Sequence, residues 1–414
     1  QRGILGLLCR YSDNQRLNSF KNVKNVKSEQ DRVRYEVPDP AKKENSLQTS
    51  QEGIKMKKTR MAAATAMALT VAMGMSAFAA EADLPSADVA EQGYDFYDQA
   101  VSYNDLRETL GAIPKLDEEI TIGFATKTFE NEFWRMEGEG AATAEKTFQD
   151  AGYKLTVDVR GAQTETDEEG QLTLLMDMVN KGYNAILVSG ISEANLVPGM
   201  EAAMEAGIDL TTVMDAFTPY SSTTVGAWHY QAGVQGAEWI YNTIGQKGKV
   251  ACITGLSQAT AAQARTQGFN DFYADKSDIE VVAVQNGDWD RQKAYDITET
   301  LLQQYPDLGG IYCNNDTMAM GALEAVIAAD SDCVIVGTDG TSEAVESIKA
   351  GELDATVDFF PNIMSQIAVE MQVRKLAGEE IPKVVYAPQS IRDAGNAEAS
   401  FEEIFGYEYA PVFE

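Results

Sequence analysis

The chain has 414 residues, 44% of them hydrophobic and 23% charged, a globular balance that excludes wholesale disorder. A formal charge of -31 excludes nucleic acid and an anionic membrane surface as electrostatic partners, and four cysteines exclude a disulfide-dense scaffold. A His-based zinc site or a Ser-His-Asp triad would rest on a single histidine, His229.

Residues 1–55 are basic and polar, with no sustained apolar period. They read as upstream leader sequence. Gln51-Glu52-Gly53 is encoded by codons that can contain AGGAGG just before the Met56 codon, where a bacterial ribosome-binding site belongs; a disordered extension is the alternative. Residues 56–79 read as a signal peptide: Lys57, Lys58 and Arg60 are basic, residues 61–77 are apolar, and Ala77-Phe78-Ala79 supplies the cleavage pattern. The expected location is therefore outside the cytoplasm, with cleavage after Ala79. No cysteine at that point offers a lipid anchor. Residues 80–117 have helical apolar spacing through Tyr94, Phe96, Tyr97, Val101 and Leu106 and are expected to form a helical extension.

From Glu119 onward, short β-rich runs alternate with helical stretches. The first four runs are 120–124, 154–157, 185–188 and 210–213. Gly152, Gly182 and Gly207 introduce the later three, at the helix C-terminal position where positive φ costs glycine little. The pattern then restarts at 250–253, 280–284, 310–313 and 333–336. Strand starts are spaced about 34, 31 and 25 residues apart in the first array, and about 30, 30 and 23 in the second. The expected fold is α/β, with two doubly wound, Rossmann-like parallel-sheet domains of like design. Ligands of such sheets bind beyond the carboxyl ends of the strands, so two edges face to face make an interdomain cleft.

The residues at those ends are informative. After the first strand, Phe129, Phe133 and Trp134 stand in an expected loop with Asn131, an arrangement costly in water unless something packs on the rings. Arg160, Ser189 and Asp215 follow later strands. The second array contributes Arg265, Asp288-Trp289-Asp290-Arg291, Asn314-Asn315-Asp316 and Asp339-Gly340. Aromatic faces take up the C–H face of a sugar ring, while Asp, Asn and Arg pair with adjacent hydroxyls. Simpler readings stand beside this one. Asn315 or Asp316 caps a helix, Asp339-Gly340 is a turn, Arg291 is a surface ion-pair partner, and Trp289 is core.

From about residue 119 to 395 the chain resembles the sugar-binding proteins of ABC transporters, the ribose/galactose-binding group with the periplasmic binding protein-like I fold. Asn131-Glu132-Phe133-Trp134, Ala261-Ala262-Gln263-Ala264-Arg265-Thr266-Gln267-Gly268-Phe269, Gly287-Asp288-Trp289-Asp290, Asn314 to Ala322 and Val336-Gly337-Thr338-Asp339-Gly340 match its motifs in order. The resemblance implies ligand contacts from Asn131, Phe133, Trp134, Arg265, Trp289, Asn315 and Asp339. It also implies three crossovers, near Ala227, Asp358 and Gln389, that form a hinge. Lobe 1 is then 118–227 plus 359–388, and lobe 2 is 228–358 plus 389–414.

The chain departs from the ribose binder's pattern on the first lobe. Ser189 stands in place of an Asn, Met214-Asp215 in place of Asp-Arg, and Phe359 in place of a Gln; Trp228-His229 replace an Asp-Asn. Ser189, Asp215 and Phe359 remain candidate contacts. The changes favour a hexose, a deoxy sugar or a polyol over ribose.

The expected function is extracytoplasmic capture of a monosaccharide or polyol and delivery to an ABC transporter permease, by a monomer without cofactor, metal or catalysis. A sensory module presenting the closed form to a receptor kinase is an alternative. So is an exported sugar-active enzyme using Asp288, Asp290 and Asp339. His229 is read as a crossover or cleft-edge residue. Cys252, Cys313 and Cys333 are expected to be buried free thiols. The string Gly138-Glu139-Gly140 lies in a helical stretch and is not a dinucleotide fingerprint. The tail, 401–414, is expected on the second lobe or on the permease.

Overall fold

The computed structural model describes residues 100–214 and 220–414. The leader, the signal segment, residues 80–99 and Asp215 lie outside them. The chain opens with β1 (Val101–Ser102) and a single-turn helix, α1 (Tyr103–Leu106). Alternation follows: β2 (Glu119–Thr128), α2 (Glu132–Asp150), β3 (Lys154–Ala162), α3 (Glu168–Asn180), β4 (Ala185–Val188), α4 (Glu193–Glu205), β5 (Asp209–Met214) and β6 (Thr223–Gly226). It restarts with α5 (His229–Thr243), β7 (Gly248–Thr254), α6 (Thr260–Tyr273), β8 (Ile279–Asn286), α7 (Arg291–Gln304) and β9 (Leu308–Cys313). Then come α8 (Asp316–Ala328), β10 (Val334–Asp339), α9 (Ser342–Ala350) and β11 (Ala355–Asp358). Helix α10 (Pro361–Leu376), β12 (Val384–Tyr386), β13 (Ser390–Asp393) and α11 (Phe401–Phe405) close the chain.

These strands form two sheets, ordered β1-β12-β6-β5-β4-β2-β3 and β13-β11-β10-β9-β7-β8. All neighbours are parallel except β13, which runs antiparallel to β11. Central strands such as β4 and β11 are buried along their whole length, as a sheet covered on both faces requires. Gly152, Gly182 and Gly207 have φ of 90°, 67° and 71°, the left-handed turn that ends a helix and releases the chain into the next strand.

The chain passes between the sheets three times: after Gly226, after Asp358 and after Tyr386. Side chains stitch the passages together. Trp228 stacks on Tyr386 at 5.3 Å, and its backbone N–H donates to Gln389 Oε1 at 2.8 Å. Phe360 turns the second passage with φ of 49°.

The termini depart from the sequence expectation. Among residues 100–117 the helix is the single turn of α1, and β1 adds to the edge of the first sheet beside β12. The end of the tail also lies on this lobe and not on the second. Phe413 bridges to Ile113 and packs edge-on against Phe148 at 5.1 Å. Tyr103 and Tyr409 both donate to the buried Glu370 of α10 at 3.0 Å, and Arg374 pairs with that carboxylate at 2.9 Å. A buried carboxylate needs partners, and the two terminal segments supply them. Only α11 of the tail keeps to the passage region, with Phe401 and Phe405 each 5.3 Å from Phe360.

Candidate functional site

The carboxyl ends of the two sheets meet around a narrow polar slot of about 50 Å³. The first lobe contributes Asn131, Phe133, Trp134 and Met214, and the second contributes Arg265, Trp289, Asn315 and Asp339. Seven of the ten expected contacts therefore share one cavity. Lys127, Glu165 and Ala261 complete its lining.

Phe133 and Trp134 are not on a loop. Asn131 caps α2 by accepting from the Phe133 N–H at 3.0 Å, which places both rings in the first helical turn, where they are buried and meet edge to face at 4.8 Å. The amide of Asn131 and the indole N–H of Trp134 then donate to the same oxygen, Glu165 Oε1, at 2.8 and 2.7 Å. Lys127 Nζ lies 4.5 Å over the Trp134 ring. Glu165 was not singled out from sequence, although its place just after β3 is a strand-end position.

On the opposite wall Arg265 is only 3% exposed. Its Nη1 donates to the Asn314 carbonyl and lies 3.4 Å from Asp339 Oδ1, while Nε donates to His229 Nδ1 at 3.4 Å. The His229 ring in turn reaches the Met214 carbonyl of the first lobe at 3.2 Å through Nε2, which fits the tautomer with its proton on that nitrogen. Asn315 is both a cap and a wall: its Oδ1 accepts from Met318 N–H at 2.9 Å, and the residue lines the slot.

Strained backbone gathers at the strand ends. Met214, Asp288, Trp289 and Asp339 have φ of 66°, 54°, 64° and 130°, conformations that side-chain-bearing residues rarely adopt. The Trp289 indole lies so close over Gly255 that a Cβ there would fall 2.1 Å from the ring. A glycine is therefore required beneath it.

Two expected contacts take other positions. Ser189 is fully buried, and its hydroxyl turns away to donate to Glu137 at 2.9 Å, so the neighbouring Gly190 faces the cleft instead. Phe359 is also fully buried, with the Arg265 guanidinium 4.9 Å over its ring and His229 edge-on at 5.9 Å; it supports the site from below. Asp215 lies outside the described residues. Of the other polar strand-end groups, Arg160 pairs with Asp158 and Asp177, and Arg291 with Glu324 and Glu343. Asp316 is buried beneath the site, accepting from Thr341 N–H at 2.8 Å and Thr356 Oγ1 at 2.6 Å.

Two of the three carboxylates proposed for an enzyme are occupied structurally. Asp288 sits 2.5 Å from Lys293, whose hydrogen bond holds its carboxyl below the ordinary range, and Asp290 caps α7. A glycosidic general acid requires the opposite shift. Cys252, Cys313 and Cys333 are buried free thiols, each pushed up by burial.

The model of the periplasmic binding protein domain matches residues 122–380. The chain belongs to that family. It is 30% identical over 272 residues to the ribose import binding protein of Bacillus subtilis, which covers 66% of this chain and 86% of that protein. It is 33% identical over 275 residues to the D-allose-binding periplasmic protein of Escherichia coli, covering 62% and 85%. Among solved structures, an ABC transporter periplasmic solute binding protein from Actinobacillus succinogenes with bound D-allose superposes with a TM-score of 0.64 at 27% identity. That match covers 68% of this chain and all of the other.

Proposed function

We propose that this chain is an exported solute-binding protein that captures a monosaccharide or related polyol between its lobes and delivers it to an ABC transporter permease. One observation carries the reading: ring faces from one lobe and a fixed set of charged and amide groups from the other line a single cavity. The rings cover C–H surface, and Arg265, Asn315 and Asp339 pair with hydroxyls. Names of the relatives point the same way, as does the D-allose-bound neighbour. The slot is too tight for a sugar ring as it stands, so the lobes part along the three passages to admit one; hinge closure of this kind is general among periplasmic binding proteins. The signal pattern of residues 56–79 supports export, and a cleft completed within one chain supports action as a monomer.

A thermal-shift screen with ribose, allose, other monosaccharides and polyols tests the proposal, because a ligand that binds only the native state raises the melting temperature. At least one neutral sugar or polyol raises it. Trp289→Ala and Asp339→Ala each abolish that shift while the proteins still melt cooperatively. Undiminished shifts in both variants would refute the site.

A further inference from the structure

Asn315 and Asp316 follow one another at the carboxyl end of β9, yet they serve different places. Asn315 lines the slot, whereas Asp316, the first residue of α8, turns beneath it and is 1% exposed. A buried carboxylate needs donors on both oxygens. Asp316 finds them outside its own helix. Oδ2 accepts from the Thr341 N–H at 2.8 Å and from Thr341 Oγ1 at 3.1 Å, and Oδ1 accepts from Thr356 Oγ1 at 2.6 Å. Burial pushes the carboxyl up, and these donors, joined by the Gly340 N–H, pull against it. Strand β10 makes room for the group: a Cβ at Gly337 would fall 2.2 Å from Asp316 Oδ1.

The segment that Asp316 holds is the one that aims Asp339. That residue ends β10 with φ of 130°, Gly340 follows at 76°, and Thr341 caps α9 by accepting from the Ala344 N–H at 3.3 Å. A φ of 130° on a residue with a side chain persists only where the surroundings over-determine it. On one side the Asp339 carbonyl accepts from the Phe359 N–H at 3.2 Å. On the other, the fixed points are the Thr341 N–H and hydroxyl on Asp316. Asp316, Gly337, Asp339 and Thr341 all stand on elements of the second sheet, so their arrangement moves as one body when the lobes part.

We propose that Asp316 is a positioning residue for sugar recognition. By holding the Asp339-Gly340-Thr341 turn, it directs the Asp339 carboxylate at one hydroxyl of the sugar. This rests on the sugar-binding reading above and extends it to a residue beneath the slot.

Isothermal titration of the purified protein with D-ribose, D-allose and D-glucose, and with the monodeoxy analogues of each, tests the idea. Asp339→Asn first identifies the hydroxyl that Asp339 holds, because the analogue lacking it binds variant and unaltered protein alike. Asp316→Ala weakens the accepted sugar at least about tenfold but this analogue less than about twofold. Asp316→Asn stays within about threefold of the unaltered protein, since its carbonyl still accepts from the Thr341 N–H and its amide can donate to Thr356 Oγ1. Thr356→Val keeps the side chain's shape and removes one donor to the carboxylate. It reproduces the selective loss at about threefold and carries the test if Asp316→Ala does not fold. Equal losses of the sugar and of every analogue in these variants would show general support of the lobe and overturn the assignment. Undiminished sugar binding in both Asp316→Ala and Thr356→Val would overturn it as well. If Asp339→Asn binds every compound as the unaltered protein does, Asp339 holds no hydroxyl and the site assignment itself falls. No binding of any of them by the unaltered protein defeats the sugar reading.

Discussion

On the second lobe the cleft wall consists of polar groups that hold one another: Arg265 on Asp339, the Asn314 carbonyl and His229, and Asn315 on its own helix. On the first lobe, the rings of Phe133 and Trp134 and the Met214 side chain share the slot with Lys127, and the polar groups Asn131 and Glu165 are joined to each other. Both walls stand at the carboxyl ends of parallel strands, so the backbone plan does not account for the contrast. It arises from which side chains follow each strand. A wall of mutually fixed donors and acceptors loses little freedom when it meets hydroxyls, whereas a wall of rings and methyl groups selects by shape and area.

Removing the centre of the polar wall tests this contrast most severely. Arg265→Ala leaves Asp339 buried without its ion-pair partner, and breaking a buried pair costs on the order of 3–5 kcal/mol. Chemical denaturation shows a stability loss of that order, and sugar binding falls by at least about 100-fold, equivalent to about 2.8 kcal/mol. If binding persists after Arg265→Ala, the polar wall is not the seat of recognition.

A smaller effect is expected on the opposite wall. Glu165 is anchored by two donors and lines the slot, where its carboxylate would accept from a ligand hydroxyl. Glu165→Ala weakens sugar binding by about tenfold, the loss expected for one hydrogen bond to a charged group. Glu165→Gln, which can still accept from Asn131 and Trp134, restores most of it. The folded state barely notices either change. Were Glu165→Ala as damaging as Arg265→Ala, the asymmetry between the walls would disappear.

The smallest effect concerns pH and the second passage between the sheets. Burial pushes the Asp358 carboxyl up to about 6, against the opposing pull of Arg392 at 2.6 Å. A carboxyl whose folded pKa is raised binds its proton more readily in the native state than in the unfolded chain. Its contribution to stability is thus fully present below about 4 and is lost as pH rises through 6. The melting temperature of the parent protein, measured relative to Asp358→Asn, therefore declines between pH 4 and pH 7. A flat or rising difference would show that Arg392 outweighs burial at this position.

Particular residues show how far the sequence could be read. The alternation of apolar runs and helical stretches located both sheets, because a parallel strand buried on two faces must be continuously apolar. Polar residues after the strands of the second array then pointed to Arg265, Trp289, Asn315 and Asp339. Ser189 misled because strand position gives the site of a residue but not the direction its hydroxyl takes, and Glu137 offered the nearer partner. Phe359 lies at the crossover, yet its ring is beneath the guanidinium and not against the ligand space. The aromatic tail could not be placed, because Tyr409 and Phe413 find their partners on Glu370, Phe148 and Tyr153, far away along the chain.

The order of strands and helices, the doubling of the array and the polar character of one cleft wall were decided by local pattern alone, since each depends on periodicity and on residues within a turn or two. The union of Glu165 with Asn131 and Trp134, across 34 and 31 residues, was decided only by tertiary structure, as was the meeting of Ile113 with Phe413 on the first lobe. Those features depend on which surfaces meet when two sheets close on each other. Hydrogen bonds and packing across that junction act between segments whose spacing along the chain carries no trace of their proximity.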